Sequence, residues 1–593
     1  MRGPGLSGKT HALLDEAVPG EFFAQPDGLA PRERQELTYR RLRAAGRAAP
    51  PAAELLNDPP ALCALLERAA IADPALFHVM LLHYTLALGP ILRFGAEQEG
   101  PRRERESLES MASFGTLLMT EVGRSNSHLS PRTLARFDAA TGGFVLETPD
   151  ARAVKFPTST AHPAVPKTAA VYATLVHGGA ERGVFVFVVP LRGPDGTPPE
   201  GVTIVPAPDT TGLQVDYAAV RLDGLRVPYE AWLRDGARLG PGGSFHDPAG
   251  GPAQRLTRSM GIAPAVWRAV VSVSAAITRA SAHLLWAHSA DRSTLGRLAP
   301  RRPLTDYRNQ REAVLGALAT AYALTAVAGR VKRARTGADG PDAAADADPG
   351  GGPETAWAPW SAVDRDLALL KAAATELAQE TVSMCRVHAG APGFTATDRL
   401  NGYRGLAHAY MNAGGDNELI LFDTARAMAD LDRYVPPRAG PAPRGGGDLL
   451  DPGEWVRLAG ECEARMRERL AARVAAELAA GADAFAAWNA NLALAARTAR
   501  ACGDRMVLEV CARAAGSGPA VLRPLLGLHA LGWMDRRAGT LLDAGVLEPG
   551  SLQRVWDLRG RLGEELAPRA AELAAALEVP AEVAAPVSFV PGL

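Results

Sequence analysis

Three arginines, Arg255, Arg258 and Arg268, fall in and beside the stretch LTRSMGIAPAVWR. Guanidinium forks so grouped could bind phosphates, and a solvated helix face would show the same spacing. Gly414-Gly415-Asp416-Asn417-Glu418 contains two carboxylates, Asp416 and Glu418, that could take a proton. Thr120-Glu121-Val122-Gly123 sets a hydroxyl close to a glycine that permits near backbone approach; a polar turn before a strand reads the same way. In Cys385-Arg386-Val387-His388-Ala389-Gly390-Ala391-Pro392-Gly393-Phe394, Gly390 and Gly393 could let backbone pack against a bound group. His388 there reads as a capping or packing residue rather than a catalyst. No zinc spacing or nucleophile elbow is present.

The elements that must position these residues change character along the chain. Its 593 residues, 47% hydrophobic and 22% charged, are a globular profile long enough for several domains. A net charge of -1 gives no support to nucleic-acid binding. Five cysteines without metal spacing fit a reducing compartment, and MRGPGLSGKTH lacks the apolar run of a signal peptide. A cytoplasmic location is therefore expected. No uninterrupted apolar run reaches transmembrane length, so no membrane insertion is expected.

Periodicity predicts an α+β chain that is mostly α. Residues 1–114 read as an N-terminal helical domain, with helical spacing over Leu55–Ala70 and Phe77–Phe94. Residues 115–235 switch to strand patterning, clearest in Gly183–Pro190, and read as a β-barrel-like domain. Residues 250–434 return to long Ala-rich helices, a helical bundle interrupted by a Gly, Ala, Asp and Pro tract (335–359) that reads as a mobile loop. Residues 452–590 form an additional C-terminal helical domain.

This order and these motifs resemble the acyl-CoA oxidase and acyl-CoA dehydrogenase superfamily, its oxidases in particular. Thr120-Glu121-Val122-Gly123 resembles the family's flavin-contacting segment, which implies that Thr120 and Gly123 meet the flavin ring. Lys155-Phe156-Pro157-Thr158 falls where the family has residues beside the flavin, and Thr158 is assigned there on that ground. Arg292 matches an arginine for the FAD pyrophosphate, and Gln310 matches a glutamine that contacts FAD across a dimer. Gly390, Gly393 and Asn417 match cofactor-side positions. Arg268 lies near a family arginine for coenzyme A, with Arg258 beside it. The resemblance thus implies FAD, an acyl thioester of coenzyme A or a carrier protein, and a homodimer or heteromer.

One departure carries chemical weight. The family's catalytic glutamate position holds Gly414, which has no titratable group. Some relatives carry the base at the start of the helical half instead, but Leu256–Arg268 contains no Asp or Glu. Asp416 and Glu418 are the remaining candidates. Three readings follow: α,β-desaturation of an acyl thioester; a repurposed flavoenzyme, either a monooxygenase or an atypical desaturase; and a catalytically silent partner subunit.

Overall fold

The computed structural model describes residues 8–95, 101–123, 127–295, 300–333, 359–394, 399–437 and 447–583. All but the last residue of the tract 335–359 lies outside them. The protein is mostly helical, with N-terminal helices, a central curled sheet, a helical bundle and C-terminal helices, as the patterning predicts. Its residues fall into two compact units, one mainly Leu6–Ala269, the other mainly Val270–Ala334 with Arg365–Leu593.

In the first unit, helices α1 (Pro31–Ala48), α2 (Pro59–Ala72) and α3 (Pro74–Leu81) precede the strands. Asp58 and Asp73 start α2 and α3. Their carboxylates accept from Ala61 N at 3.1 Å and Ala75 N at 2.9 Å, and each is followed by proline at the first helical position. After α3 the chain runs through a π-helical turn, Leu82–Leu88, to Phe94.

The sheet follows from strands buried on both faces. Strand β5 (Lys167–His177) pairs antiparallel with β6 (Ala180–Arg192), whose Val184–Val189 are all buried. The other edge of β5 is shared by two parallel strands in succession. Strand β1 (Phe114–Leu118) pairs up to Leu118↔Val171, and β2 (Leu134–Asp138) begins at Leu134↔Thr174. Strand β3 (Gly143–Glu147) continues the sheet beside β2, and β4 (Lys155–Ser159) belongs to a separate three-stranded sheet. Phe144, Phe185, Phe187 and Trp232 fill the core, with ring centroids of neighbours 5.2–5.5 Å apart. Helix α4 (Pro252–Ser259) follows the strands and packs on β6.

The second unit takes most of α5 (Ala263–Ala290), then α6 (Arg308–Arg333), most of α7 (Pro359–His388), α8 (Arg399–Asn412) and α9 (Asn417–Asp430). Its C-terminal part contains α10 (Pro452–Ala479), α11 (Leu492–Ser517), α12 (Leu522–Arg536) and α13 (Ser551–Leu566). Helix α11 packs on α9 and α10, and α12 packs on α6 and α13.

One expectation needs correcting. Three helical stretches, Pro74–Phe94, Pro252–Ala290 and Arg308–Arg333, are long and apolar enough to cross a membrane by length and composition. Single polar residues broke these runs in the sequence, yet their mean hydropathy is 1.5–1.6. In the fold 72–94% of each apolar window is buried within the protein.

Candidate functional site

The segment Thr120–Gly123 is oriented by what lies beneath it. Glu121 is buried, and its Oε1 accepts from Thr133 N and Thr133 Oγ1, both at 2.8 Å, while Oε2 accepts from Arg132 N at 3.0 Å. The buried Lys155 Nζ donates to Met119 O at 2.9 Å, Tyr172 O at 3.0 Å and Glu121 Oε1 at 3.3 Å. Burial pushes the Lys155 amine down to about 8, with Glu121 pulling the other way. Alternation then turns Thr120 and Val122 outward, and Val122 is 57% exposed. Among the described residues the Thr120 hydroxyl has no hydrogen-bond partner, while its carbonyl accepts from Phe156 N at 3.0 Å.

Gly123 is required by packing. A Cβ there would sit 2.3 Å from Arg152 Cβ and 2.7 Å from Arg152 Cα. Gly123→Ala is expected to cost about 1–3 kcal/mol through this overlap. A urea melt with an unchanged midpoint would count against it. Thr158 differs from Thr120: it is buried, and its hydroxyl donates to Ala218 O at 2.8 Å and meets Thr160 Oγ1 at 2.8 Å.

The arginines of α4 face carboxylates. Arg258 grips Asp235 with both arms, Nε–Oδ2 2.8 Å and Nη2–Oδ1 3.1 Å. Buried Arg255 is paired with Asp247 and Asp235 and lies 4.5 Å over the Phe185 ring. A phosphate at Arg258 would have to compete with Asp235. Arg268, on α5, is buried.

In the second unit Arg292 is exposed, and among the described residues its guanidinium carries no hydrogen bond or ion pair. Gln310 is instead committed: its Nε2 donates to Ser289 Oγ at 3.0 Å and His388 O at 3.2 Å, and its Oε1 meets His388 Nδ1 at 3.0 Å. Gly390 follows α7 at φ +69, and the carbonyl of Gly393 accepts from Asn401 Nδ2 at 2.7 Å.

The turn before α9 shows why Gly414 carries no acid. Gly414 and Gly415 stand at φ +70 and +93, backbone that a glutamate would adopt only under strain. Asp416 caps α9: its Oδ1 accepts from Glu418 N at 2.9 Å and its Oδ2 from Asn412 Nδ2 at 2.6 Å. Glu418 pairs with Arg500 at 2.5 Å, and Arg500 also holds Glu376 at 3.1 Å. Neither carboxylate is an unengaged base.

Asn417 is buried, donating to Thr375 Oγ1 at 2.9 Å and accepting from Lys371 Nζ at 2.9 Å. Lys371 is fully buried on α7, and its Nζ also donates to Gly415 O at 2.6 Å. Burial pushes this amine down to about 7, against the pull of Asp416 and Glu376. The sequence reading passed over Lys371. A signal exists: its helical neighbours at three and four residues, Leu367, Ala368, Ala374 and Thr375, carry no charge, which marks Lys371 as lying on an inward face, and the fold buries all four.

Comparison with known proteins fits this geometry into a wider pattern. Residues 281–429 match the family model "Acyl-CoA oxidase, C-alpha1 domain", and residues 455–583 match "Acyl-CoA oxidase". Peroxisomal acyl-coenzyme A oxidase 2 of Arabidopsis thaliana is 25% identical over 72% of this chain and 61% of its own length. Human peroxisomal acyl-coenzyme A oxidase 3 is 25% identical over 64% of this chain and 53% of its own. The chain thus spans between about half and three fifths of these relatives. Among solved structures, acyl-CoA oxidase 1 of Yarrowia lipolytica has a TM-score of 0.80 at 17% identity, covering 97% of this chain and 87% of its own. Acyl-CoA oxidase 2 of Caenorhabditis elegans, bound with FAD, ascaroside-CoA and ATP, has a TM-score of 0.79 at 18% identity, covering 97% and 87%. These structures establish the fold. The peroxisomal relatives overturn the expectation of a cytoplasmic location, which rested on cysteine usage and the absence of a leader, neither of which reports an organelle. Domain models and relatives agree: the chain shows strong homology to the acyl-CoA oxidase and acyl-CoA dehydrogenase superfamily, on its oxidase-like branch.

Proposed function

We propose that this chain is an FAD-dependent oxidoreductase that introduces an α,β double bond into an acyl thioester carried by coenzyme A or a carrier protein. The observation that carries the reading is the Thr120–Gly123 segment in a chain with this homology, held from below by Glu121 with its Thr120 hydroxyl turned outward and unengaged among the described residues. FAD, when bound, supplies the acceptor for the hydride that leaves the substrate. The residues present fit it in part. Thr120 offers a neutral hydroxyl to the ring, Arg292 a guanidinium without a partner among the described residues to the pyrophosphate, and Gly390 an open backbone to the adenosine side. Thr158, Gln310 and Asn417 have their polar groups engaged within the protein, so they act as supports. A homodimer belongs to this reading, because the family completes its cofactor site across subunits.

Gly414 favours a second reading. A substrate with a more acidic proton, or one oxidised by another route, does not need the glutamate. In that case the chain is a repurposed family flavoenzyme.

The test is an anaerobic spectrum of the purified protein before and after a panel of CoA and carrier-protein thioesters. The expected result is visible flavin absorption that bleaches with one class of thioester, and hydrogen peroxide formation in air. Flavin that bleaches with no thioester removes the first reading; a product carrying an added oxygen establishes the second.

A further inference from the structure

We propose that a cavity within the second unit binds a small organic anion with an apolar body. The cavity, about 300 Å³, lies among α6, α7, α12 and α13, at the small end of the range for organic-ligand sites. The proposal is independent of the flavin reading.

Three glycines from three helices line it: Gly316, Gly532 and Gly563. A glycine inside a helix costs about 1 kcal/mol relative to alanine, a cost usually explained by close packing. Packing does not explain it at Gly316 or Gly563, where a Cβ would meet nothing within 4 Å. A side chain at either position would narrow only the cavity.

Two polar groups indicate what enters. His529, 3% exposed, lines the cavity, and its Nδ1 meets Thr320 Oγ1 at 3.4 Å. Its Nε2 has no partner among the described residues. Burial pushes the ring down to about 3, so it is a neutral hydrogen-bonding group. Arg536 also lines the cavity. Its side chain stays 36% exposed and is ion-paired with Glu380 at 3.7 Å, beyond hydrogen-bond distance, and Glu380 and Glu312 line the same cavity, so an entering anion has to take Glu380's place at the guanidinium. Its neighbour Arg537 is held by Asp504 at 2.8 Å, and Arg559 by Asp535. Arg536 thus has a guanidinium fork without a hydrogen-bonded partner among the described residues, beside apolar walls of Leu315 and Leu528. A carboxylate or phosphate monoester matches that fork, and its short alkyl body matches the walls.

The test is calorimetric titration of the full-length protein as purified with octanoate, octyl phosphate and octanol. Saturable binding of an anion is expected, with octanol at least tenfold weaker; the tighter of the two anions identifies the headgroup. Arg536→Gln should weaken anion binding at least tenfold, and Gly316→Leu should abolish it. Leucine raises helix propensity at that position, so the variant is expected to fold, and circular dichroism checks this. The proposal is overturned by the absence of saturable anion binding, by octanol binding as tightly as the anions, or by affinity unchanged in both variants, which would place the ligand elsewhere.

Discussion

Glu121→Gln is expected to lower stability by about 3–5 kcal/mol, the usual cost of removing one partner from a buried ion pair. The carboxylate accepts from Arg132 N, Thr133 N and Thr133 Oγ1, and it faces a fully buried ammonium. Glutamine would keep one acceptor oxygen. Its amide nitrogen would point donor hydrogens at groups that are themselves donors, and Lys155 would keep its burial without its counter-charge. Because the same carboxylate turns Thr120 outward, the FAD reading proposed above expects flavin affinity to fall along with the denaturation midpoint. A loss below 1 kcal/mol in urea unfolding would show that Lys155 is held mainly by the Met119 and Tyr172 carbonyls.

Lys371→Met gives the second large effect, and its size depends on pH. Methionine leaves Gly415 O and Asn417 Oδ1 without their donor, at about 1–3 kcal/mol for each buried acceptor. Near pH 6 relief from burying an ammonium offsets part of that cost. Above pH 7 the balance shifts. The folded amine, lowered to about 7, has lost its proton, while the unfolded lysine keeps its proton until near 10. Unfolding then takes up a proton, so raising the pH stabilises wild type by up to ~1.4 kcal/mol per pH unit. The methionine variant lacks this gain. Its stability deficit should therefore widen between pH 7 and 10, with faster amide exchange at Gly415–Glu418. Parallel stability curves for the two proteins across that range would refute the assignment.

Much of the fold could be read from patterning because the pattern there has one physical solution. Gly183–Pro190 is apolar at nearly every position, which suits a strand covered on both faces, and β6 is that strand. The long helices over Ala263–Ala290 and Arg308–Arg333 follow their 3.6-residue period. The stretch Ala484–Ala501 reads as one helix but breaks after Asn489, and α11 starts at Leu492.

The site was less legible because ion pairing is not a local property. Arg258 looks like a phosphate ligand until Asp235, 23 residues away, closes on it. Asp416 looks like a base until its role as a helix cap accounts for both oxygens. Gly414 reads as a deletion of chemistry. Its left-handed backbone shows the turn itself calling for glycine, so restoring an acid there would also work against the turn.

The handover on β5 has an evolutionary consequence. Strand β1 leaves at Val171 and β2 arrives at Thr174, with Lys155 supplying a hydrogen bond to the Tyr172 carbonyl between them. Both ends of the excursion from Met119 to Thr133 are thus pinned to one strand. Residues can be added to or removed from its middle without shifting the register of any neighbour. The stretch between those ends can therefore diversify in length while the scaffold holds still.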